Sequence, residues 1–198
     1  MSPTLICIPD ISGFTKFMSD VDISLTSKVI PSLLNNIIYA NKLDLKVSEI
    51  EGDAVLFYRT GELPPFEDLI NQMRLFYTRF YEQLEVLGKR FSHKINGDDI
   101  PERLGLKIVL HYGKSVGSVA IGSRIKLMGE DVIIAHRLLK NNIPIDEYLL
   151  LSDTLLDEYK DEKIYANFDW GRLIKEEEAY KHIGEIGYSY VNLTPLVD

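Results

Sequence analysis

The chain has 198 residues, of which 45% are hydrophobic and 26% are charged. These values are ordinary for a globular protein, and the length suits one domain with a sizeable core, so we expect residues 1–198 to form a single domain. A formal net charge of -8 argues against a general nucleic-acid binder, which normally has a basic surface. No apolar run approaches the ~20 residues of a membrane-spanning helix, and no secretory signal is visible, so we expect no membrane partner.

The single cysteine, Cys7, lies in an apolar run. A cysteine in such a run is expected to be a small buried hydrophobe rather than a nucleophile. One cysteine cannot form an internal disulfide, which fits a reducing compartment, and we expect a cytoplasmic location.

The first half of the chain predicts a strand over residues 4–8 and a helix over 14–40, which residues 20–22 and Pro31 should interrupt. Residues 45–50 and 54–58 predict a hairpin around a turn at 51–53. After a loop, residues 66–89 give the clearest helix. Its apolar residues recur every 3.6 positions and should all lie in the core: Leu69, Met73, Phe76, Phe80, Leu84 and Leu87.

In the second half, residues 92–103 predict a surface loop whose acidic pair Asp98-Asp99 is solvated rather than metal-binding. Residues 106–111 and 115–121 predict two strands joined by a turn at 112–114, followed by a helix over 132–142. A strand at 148–151 should lead through an N-capping Ser152 into a short helix. The charge run at 175–178 predicts a solvated face, and residues 186–193 predict a closing edge strand.

This mixture of hairpins and helices predicts an α+β sandwich of ferredoxin-like type. We expect a mainly antiparallel sheet with helices packed on one face.

Two aspartates stand in distinctive settings. Asp10 follows the apolar run 5–8 directly, and Asp53 lies in the predicted turn of the hairpin. Two carboxylates at the ends of adjacent strands can share a divalent cation, and Mg²⁺ is usually held by one or two carboxylates together with substrate phosphates. Alternatively, each is an ordinary turn residue, because Asp and Gly dominate turns. The small residues Ser12 and Gly13 leave backbone N–H groups free to approach phosphate oxygens at the start of a helix.

Five segments resemble, in order, the motifs of the class III nucleotidyl (adenylate and guanylate) cyclase catalytic domain. Residues 10–15 (Asp-Ile-Ser-Gly-Phe-Thr) resemble the first metal-binding motif, and residues 51–55 (Glu-Gly-Asp-Ala-Val) resemble the second. Residues 106–113 resemble the strand that ends in a His-Thr-Gly type turn, 129–138 the transition-state helix, and 181–191 the closing hairpin. Because these segments cover nearly the whole chain, the resemblance implies a divergent member with the cyclase-homology fold.

The resemblance also implies roles for individual residues. Asp10, Asp53 and the main-chain carbonyl of Ile11 match the ligands of two Mg²⁺ or Mn²⁺ ions. Arg137 matches the arginine that stabilises charge on the α-phosphate, a role that suits an always-charged guanidinium. The backbone amides of the following residues would lie near the phosphates of a nucleoside triphosphate: Ser12, Gly13, Phe14 and Thr15. In this family, the aspartates come from one subunit of a homodimer and the arginine from the other.

Several positions depart from the family pattern. Ile133 stands where the family has a transition-state asparagine, and it cannot hydrogen-bond a ribose oxygen. Glu49 replaces the usual base-reading lysine, and Lys126 falls on the second base-reading position, although the shortened hairpin over 122–129 leaves its register open. Either the two residues read a different base or ligand, or base selection has lapsed and they form a salt bridge or face solvent. Arg124 and Lys140 are candidate replacement phosphate contacts or simply surface cations.

Two functions follow from these observations. One is an atypical, slow nucleotidyl cyclase that works as a homodimer. The other is a cyclase-like domain that no longer cyclises and serves as a nucleotide-binding, dimerisation or signalling module, since fold does not determine function. Of the histidines, His111 is expected to be a satisfied structural group at the end of a strand, and His136 is expected to face a partner subunit.

Overall fold

The computed structural model describes residues 2–93, 100–122, 124–160 and 163–197. The strands are β1 (Ser2–Ser12), β2 (Lys46–Glu51), β3 (Ala54–Thr60), β4 (Gly105–Ile121), β5 (Arg124–Met128), β6 (Tyr148–Ser152), β7 (Ile174–Tyr180) and β8 (Gly184–Asn192). The α-helices are α1 (Phe14–Asp20), α2 (Ile23–Tyr39), α3 (Phe66–Phe91), α4 (Ile100–Arg103), α5 (Glu130–Leu138) and α6 (Asp153–Leu156). The predicted acidic loop pair Asp98-Asp99 lies outside the described residues.

The strands form one eight-stranded sheet in the order β2-β3-β1-β4-β6-β8-β7, with β5 paired to β4. Every pairing is antiparallel except that of β4 with β6. The predicted α+β class with a mainly antiparallel sheet is therefore confirmed. Among the described residues, each helix is too short or too polar to span a bilayer.

The side chains of β1 alternate between the two faces of the sheet, as they must in any strand. Leu5 and Cys7 are fully buried in the core cluster that contains α2 and α3, as predicted for the cysteine. Ile6 and Ile8 belong to a second cluster, on the opposite face, with Val132 and Ala135 of α5. Asp10 follows Ile6 and Ile8 at the two-residue spacing of a strand. The long helices therefore cover one face, and Asp10 belongs to the face on which α5 packs.

The predictions for α1 to α3 are mostly confirmed, but two others need correction. Residues 100–103, predicted as part of a surface loop, form α4 with Ile100 0% exposed, and the helix predicted over 132–142 ends at Leu138. The apolar stripe of α3 is at most 2% exposed at all six predicted positions, and the helix break predicted at 20–22 separates α1 from α2. Pro31, however, lies inside α2 and does not interrupt it. Pro31 is exposed, whereas Val29, Ile30 and Leu33 around it are buried. The packing of this apolar face holds the helix through the proline, because tertiary packing outweighs local propensity.

Two strand predictions were wrong. Residues 112–114 do not form a turn, and the two predicted strands are one continuous strand, β4. The closing strand β8 is not at the edge, because it lies between β6 and β7, and the charge run at 175–178 belongs to the edge strand β7. Residues 175–177 are exposed, so the predicted solvated face is confirmed, and charges on an edge strand disfavour pairing with other chains.

Candidate active site

The two aspartates come together because β1 and β3 are neighbours. Asp10 pairs with Ala54, and the backbone N–H of Ile11 donates a hydrogen bond of 3.0 Å to the carbonyl oxygen of Asp53. Asp10 and Asp53 both line a cavity of about 610 Å³, and both line an adjoining cavity of about 440 Å³. The hairpin turn and the end of the neighbouring strand thus place two carboxylates at one site, as the sequence predicts.

The environment of these carboxylates disfavours two unpaired negative charges. Burial raises the pKa of Asp10 to about 6, and the nearby charge of Asp53 contributes to the same shift. Burial also raises the pKa of Asp53, although its own backbone N–H and Lys107 oppose that change. Two partly desolvated carboxylates of like charge are the arrangement that a bound cation relieves.

Sequence reasoning missed Lys107, which lies beside Asp10. The two residues are register partners on β4 and β1, and the Lys107 Nζ lies 3.5 Å from the Asp10 Oδ1. Their side chains are only 23% and 16% exposed, and Lys107 lines both cavities. The sequence does contain a signal for it, because Lys107 is the single charged residue in the otherwise apolar run 106–110.

The segment predicted to contact phosphates forms one wall of the second cavity, which Ser12, Gly13, Phe14 and Thr15 all line. Gly13 is the N-cap residue that precedes α1, with a φ of 79°, and a Cβ at this position would overlap the carbonyl oxygen of Arg103. Glycine is therefore required here by both its conformation and its close packing. Ser12 is anchored by a hydrogen bond of 2.6 Å from its Oγ to the carbonyl oxygen of Asp146.

Helix α5 brings Arg137, Ile133 and His136 to the first cavity, and Lys140 follows just beyond the helix. Arg137 thus lines the same cavity as the aspartates of its own chain. Ile133 is 54% exposed and presents an apolar surface there. Of the two candidate replacement cations, Lys140 faces the cavity, whereas the side chain of Arg124 lies outside the described part of the chain.

The start of α5 is anchored to β4 through Asp131. Its Oδ2 accepts a hydrogen bond of 2.9 Å from the N–H of Ser115, and its Oδ1 lies 3.1 Å from the Nε2 of His111. The hydrogen bond with His111 is the main cause of a lowered Asp131 pKa. A Cβ at Gly113 would overlap the side chain of Asp131, so glycine is needed for this approach. His111 is 1% exposed and is the satisfied structural group that was predicted.

A second residue that sequence reasoning missed is Tyr148, which lines the second cavity. Its hydroxyl accepts a hydrogen bond of 2.7 Å from the Nδ2 of Asn141. Burial raises the pKa of Tyr148 to about 12, so at neutral pH the phenol keeps its proton and can donate a hydrogen bond. Nothing in the sequence pattern distinguishes Tyr148 from an ordinary core residue.

The predicted base-reading residues contact each other. The Nζ of Lys126 lies 2.9 Å from the Oε2 of Glu49, and this contact raises the pKa of Lys126. Pairing of Lys126 with Val119 gives the hairpin register that the sequence left open. Of the two interpretations, the structure contains the salt bridge that the second one describes. The pair lines an open groove of about 760 Å³ together with exposed apolar side chains of β2, β4 and β5.

The donor atoms at this site suit a hard divalent cation. Asp10 and Asp53 supply carboxylate oxygens, while the side chain of Ile11 is 1% exposed, so only its main chain is available to a ligand. Within the described residues, no group of three or more His, Cys, Asp or Glu side chains could hold a metal by itself. Mg²⁺ commonly takes one or two carboxylates and completes its shell with phosphate and water. The residues therefore fit a metal that arrives with a phosphate ligand.

Several solved structures share this architecture across 96% of the chain. The guanylyl cyclase Cya2 gives a TM-score of 0.71 at 16% identity, with 94% of that chain covered. The adenylyl cyclase CyaB from P. aeruginosa gives 0.66 at 15% identity, with 93% covered. The guanylate cyclase domain of RhGC from Catenaria anguillulae, solved in complex with GTP, gives 0.62 at 17% identity, with 96% covered. At these identities, the similarity establishes the fold, which is that of cyclase catalytic domains.

Similarity at the sequence level leads to a different group of proteins. An uncharacterized protein of Mycobacterium tuberculosis (strain ATCC 25618 / H37Rv) is 33% identical over 137 residues, which are 64% of this chain and 59% of the relative. The match thus spans little more than half the length of that relative. The model of the family described as "Protein of unknown function (DUF2652)" matches residues 30–148, which include Asp53, Lys107 and Arg137. The chain therefore belongs to the DUF2652 family, and its fold is that of the adenylyl and guanylyl cyclase catalytic domains.

Proposed function

We propose that this protein is a divergent class III nucleotidyl cyclase that binds a nucleoside triphosphate together with Mg²⁺ or Mn²⁺ and cyclises it slowly. The observation that carries this proposal is the convergence of Asp10 and Asp53 on one cavity, beside which Arg137 is exposed and so within reach of a ligand from its own chain or from a second copy. These are the residues that match the metal ligands and the transition-state arginine of the family, and the topology brings them to one face of the sheet. A cytoplasmic location stays a prediction.

The reaction joins the 3′-hydroxyl of the nucleotide to its α-phosphate and releases pyrophosphate. Bound divalent ions supply charge relief and polarise the reacting oxygens in two-metal sites of this kind. Asp10 and Asp53 would hold the ions, and Arg137 would bind the α-phosphate oxygens bidentately. Lys107 places an ammonium group beside Asp10, where it can balance phosphate charge. Ile133 provides no hydrogen bond to the ribose. We therefore expect a rate ~10²–10³ lower than that of a cyclase with asparagine at this position, the usual effect of losing one transition-state donor.

The proposed assembly is a homodimer in which each site combines the aspartates of one subunit with Arg137 of the other. Support comes from the exposed apolar side chains on the groove of β2, β4 and β5. Val47, Ile50, Ile121 and Ile125 are 41%, 54%, 58% and 64% exposed. An apolar patch of this kind marks an interaction surface. Because Arg137 also lines the cavity of its own chain, a site within a single chain is the competing arrangement.

A second candidate function has its own support. Three features leave fewer groups free for catalysis. Lys107 pairs with the metal-ligand candidate Asp10, and Glu49 and Lys126 pair with each other. Ile133 stands in place of a hydrogen-bonding asparagine. These features favour a cyclase-like module that binds a nucleotide–metal complex, or dimerises, without turnover.

The decisive experiment incubates the purified protein with each of the four ribonucleoside triphosphates and Mn²⁺ or Mg²⁺, and detects cyclic products by mass spectrometry. Slow, metal-dependent formation of a cyclic nucleotide supports the enzyme. Binding of triphosphate and metal in calorimetry without any product supports the module. Absence of both binding and product eliminates the nucleotide site.

A further inference from the structure

We propose that this site recognises the metal–triphosphate group and is indifferent to the base attached to it. This inference rests on the proposed function, since it assumes that a triphosphate binds between Asp10, Asp53 and Arg137. It names the ligand class as any triphosphate, whether inorganic or carried by a nucleoside.

The first argument is the chemistry of the first cavity. Its polar lining consists only of ionisable side chains: Asp10, Glu51, Asp53, Lys107, His136, Arg137 and Lys140. The remaining lining is apolar: Ile8, Ala54, Leu56, Ile133 and Leu139. Within the described residues, no amide or hydroxyl side chain lines this cavity. The described lining therefore has none of the side chains that combine a fixed donor with a fixed acceptor for a base or ribose edge. Its cations Lys107, Arg137 and Lys140 can bind phosphate oxygens of any nucleotide.

The second argument is where the two cavities meet. Asp10, Asp53 and Lys107 line both cavities. The second cavity is also lined by residues 12–15 and Lys16, and by Asn141 and Tyr148, which hydrogen-bond each other. Two carboxylates and four cations, Lys16, Lys107, Arg137 and Lys140, are thus spread over the two adjoining cavities. This arrangement suits a chain of phosphates rather than a single one.

The third argument is that the two residues at the base-reading positions, Glu49 and Lys126, already bind each other. The Nζ of Lys126 and the Oε2 of Glu49 are 2.9 Å apart, and the side chain of Glu49 is only 16% exposed. A base that engaged Lys126 would leave the partly buried Glu49 carboxylate without its partner, which is costly. A base that engaged Glu49 would have to displace the ammonium group of Lys126. This holds whether the pair faces the site of its own chain or that of a second copy.

Calorimetry of the full chain in Mn²⁺ tests the proposal with five ligands, namely inorganic triphosphate, ATP, GTP, CTP and UTP. We expect all five dissociation constants to lie within about tenfold of one another, a free-energy spread of about 1.4 kcal/mol. Base stacking alone is worth up to ~3 kcal/mol per base where a protein provides it, so a base-reading site would exceed that range. Arg137→Ala should weaken all five ligands by a similar factor, whereas Lys126→Ala should change none by more than about twofold.

The control for general charge effects is Lys89→Ala, at a lysine of α3 whose side chain is 82% exposed. This change should leave all five dissociation constants unchanged. A nucleotide that binds more than about tenfold tighter than inorganic triphosphate, or that loses this advantage in Lys126→Ala, overturns the inference and leaves the proposed function standing. Failure of every ligand to bind overturns both.

Discussion

At the scale of single residues, the site is governed by two carboxyl groups and one ammonium group in partly buried positions. Burial and mutual repulsion raise the pKa of Asp10, and Lys107 offsets part of this shift. A divalent cation would replace a repulsive pair with two favourable contacts, so the free protein is arranged to gain from metal binding.

The first prediction is that Asp53→Asn weakens Mn²⁺ binding by about tenfold or more, a loss of at least about 1.4 kcal/mol. The substitution removes one of two anionic ligands and also removes repulsion from Asp10, so the melting temperature without metal should not fall. Isothermal titration calorimetry and thermal unfolding provide the two measurements. Asp44→Asn, the same change at an exposed residue outside both cavities, is the matched control. An unchanged Mn²⁺ affinity in Asp53→Asn would count against the metal site.

The second prediction is that Ile133→Asn raises the rate of cyclic product formation. Asparagine restores a hydrogen-bonding group toward the ribose, and such a donor is worth up to ~10²–10³ in rate. Because Ile133 is 54% exposed, the change should cost little stability. Ile23→Asn, at a residue 69% exposed on α2, controls for the loss of an exposed isoleucine. No product from the wild type or from Ile133→Asn, with any triphosphate and either metal, would favour the non-enzymatic module.

At the scale of secondary-structure elements, α5 carries part of the site and Asp131 anchors it to the sheet. Asp131 joins the first turn of the helix to β4 through Ser115 and His111, and the same helix carries Ile133 and Arg137. The packing of Val132 and Ala135 against the sheet completes the attachment. The placement of Arg137 thus depends on contacts at the opposite end of a nine-residue helix.

The third prediction concerns stability and pH. Asp131→Asn should lower the free energy of unfolding by about 2 kcal/mol at neutral pH, since hydrogen bonds to a charged group are worth roughly that much. The pKa of Asp131 is lowered in the folded state, so its stabilising effect is full above the ordinary value of about 3.9. This effect disappears as the pH falls through the lower folded pKa.

Urea unfolding of wild type and Asp131→Asn at pH 7, pH 4 and pH 3 measures this difference. The gap between the two proteins should shrink at the acid end. Asp68→Asn, at an exposed residue of α3, should show a smaller gap at pH 7. A gap for Asp131→Asn that stays constant or widens in acid contradicts the assigned role of the carboxylate.

At the scale of the whole molecule, the two faces of the sheet differ in role. The face covered by α2 and α3 contains the main core, while the other face carries the site beneath α5. Glu51 lines both the first cavity and the open groove with its exposed apolar residues. The proposed partner surface is therefore adjacent to the site.

The fourth prediction is a two-fold dimer by sedimentation velocity, with sites shared between subunits. Equal mixing of Asp53→Asn and Arg137→Ala chains should then restore about a quarter of the wild-type activity or bound triphosphate. Half of the dimers are mixed under random exchange, and each mixed dimer has one intact site of two. Each variant alone serves as the inactive control. A monomer at high concentration, or a dimer whose mixture recovers nothing, would instead place the site within one chain.

The sequence by itself determined the α+β class, the hairpin around Asp53, the core stripe of α3 and the break between α1 and α2. These features follow from local patterns: period-2 and period-3.6 burial and turn chemistry. The order of motifs also indicated the cyclase-like architecture, together with Asp10, Asp53 and Arg137 as the residues to follow. The contact between Glu49 and Lys126 was left open as one of two alternatives.

Only the tertiary structure decided the remaining features, because each depends on contacts between segments far apart in the chain. Pro31 is tolerated in α2 since its neighbours are buried in the core, and the chain stays extended at Tyr112 and Gly113 because these residues pair with Leu5 and Thr4 of β1. The interior position of β8 depends on which strand pairs with β6. Lys107 is the single charge in an apolar run, but only the pairing of β4 with β1 places it beside Asp10. Tyr148 is recognised as part of the site only once β6 is paired with β4, since a residue's sequence neighbours do not determine what lies near it across a sheet.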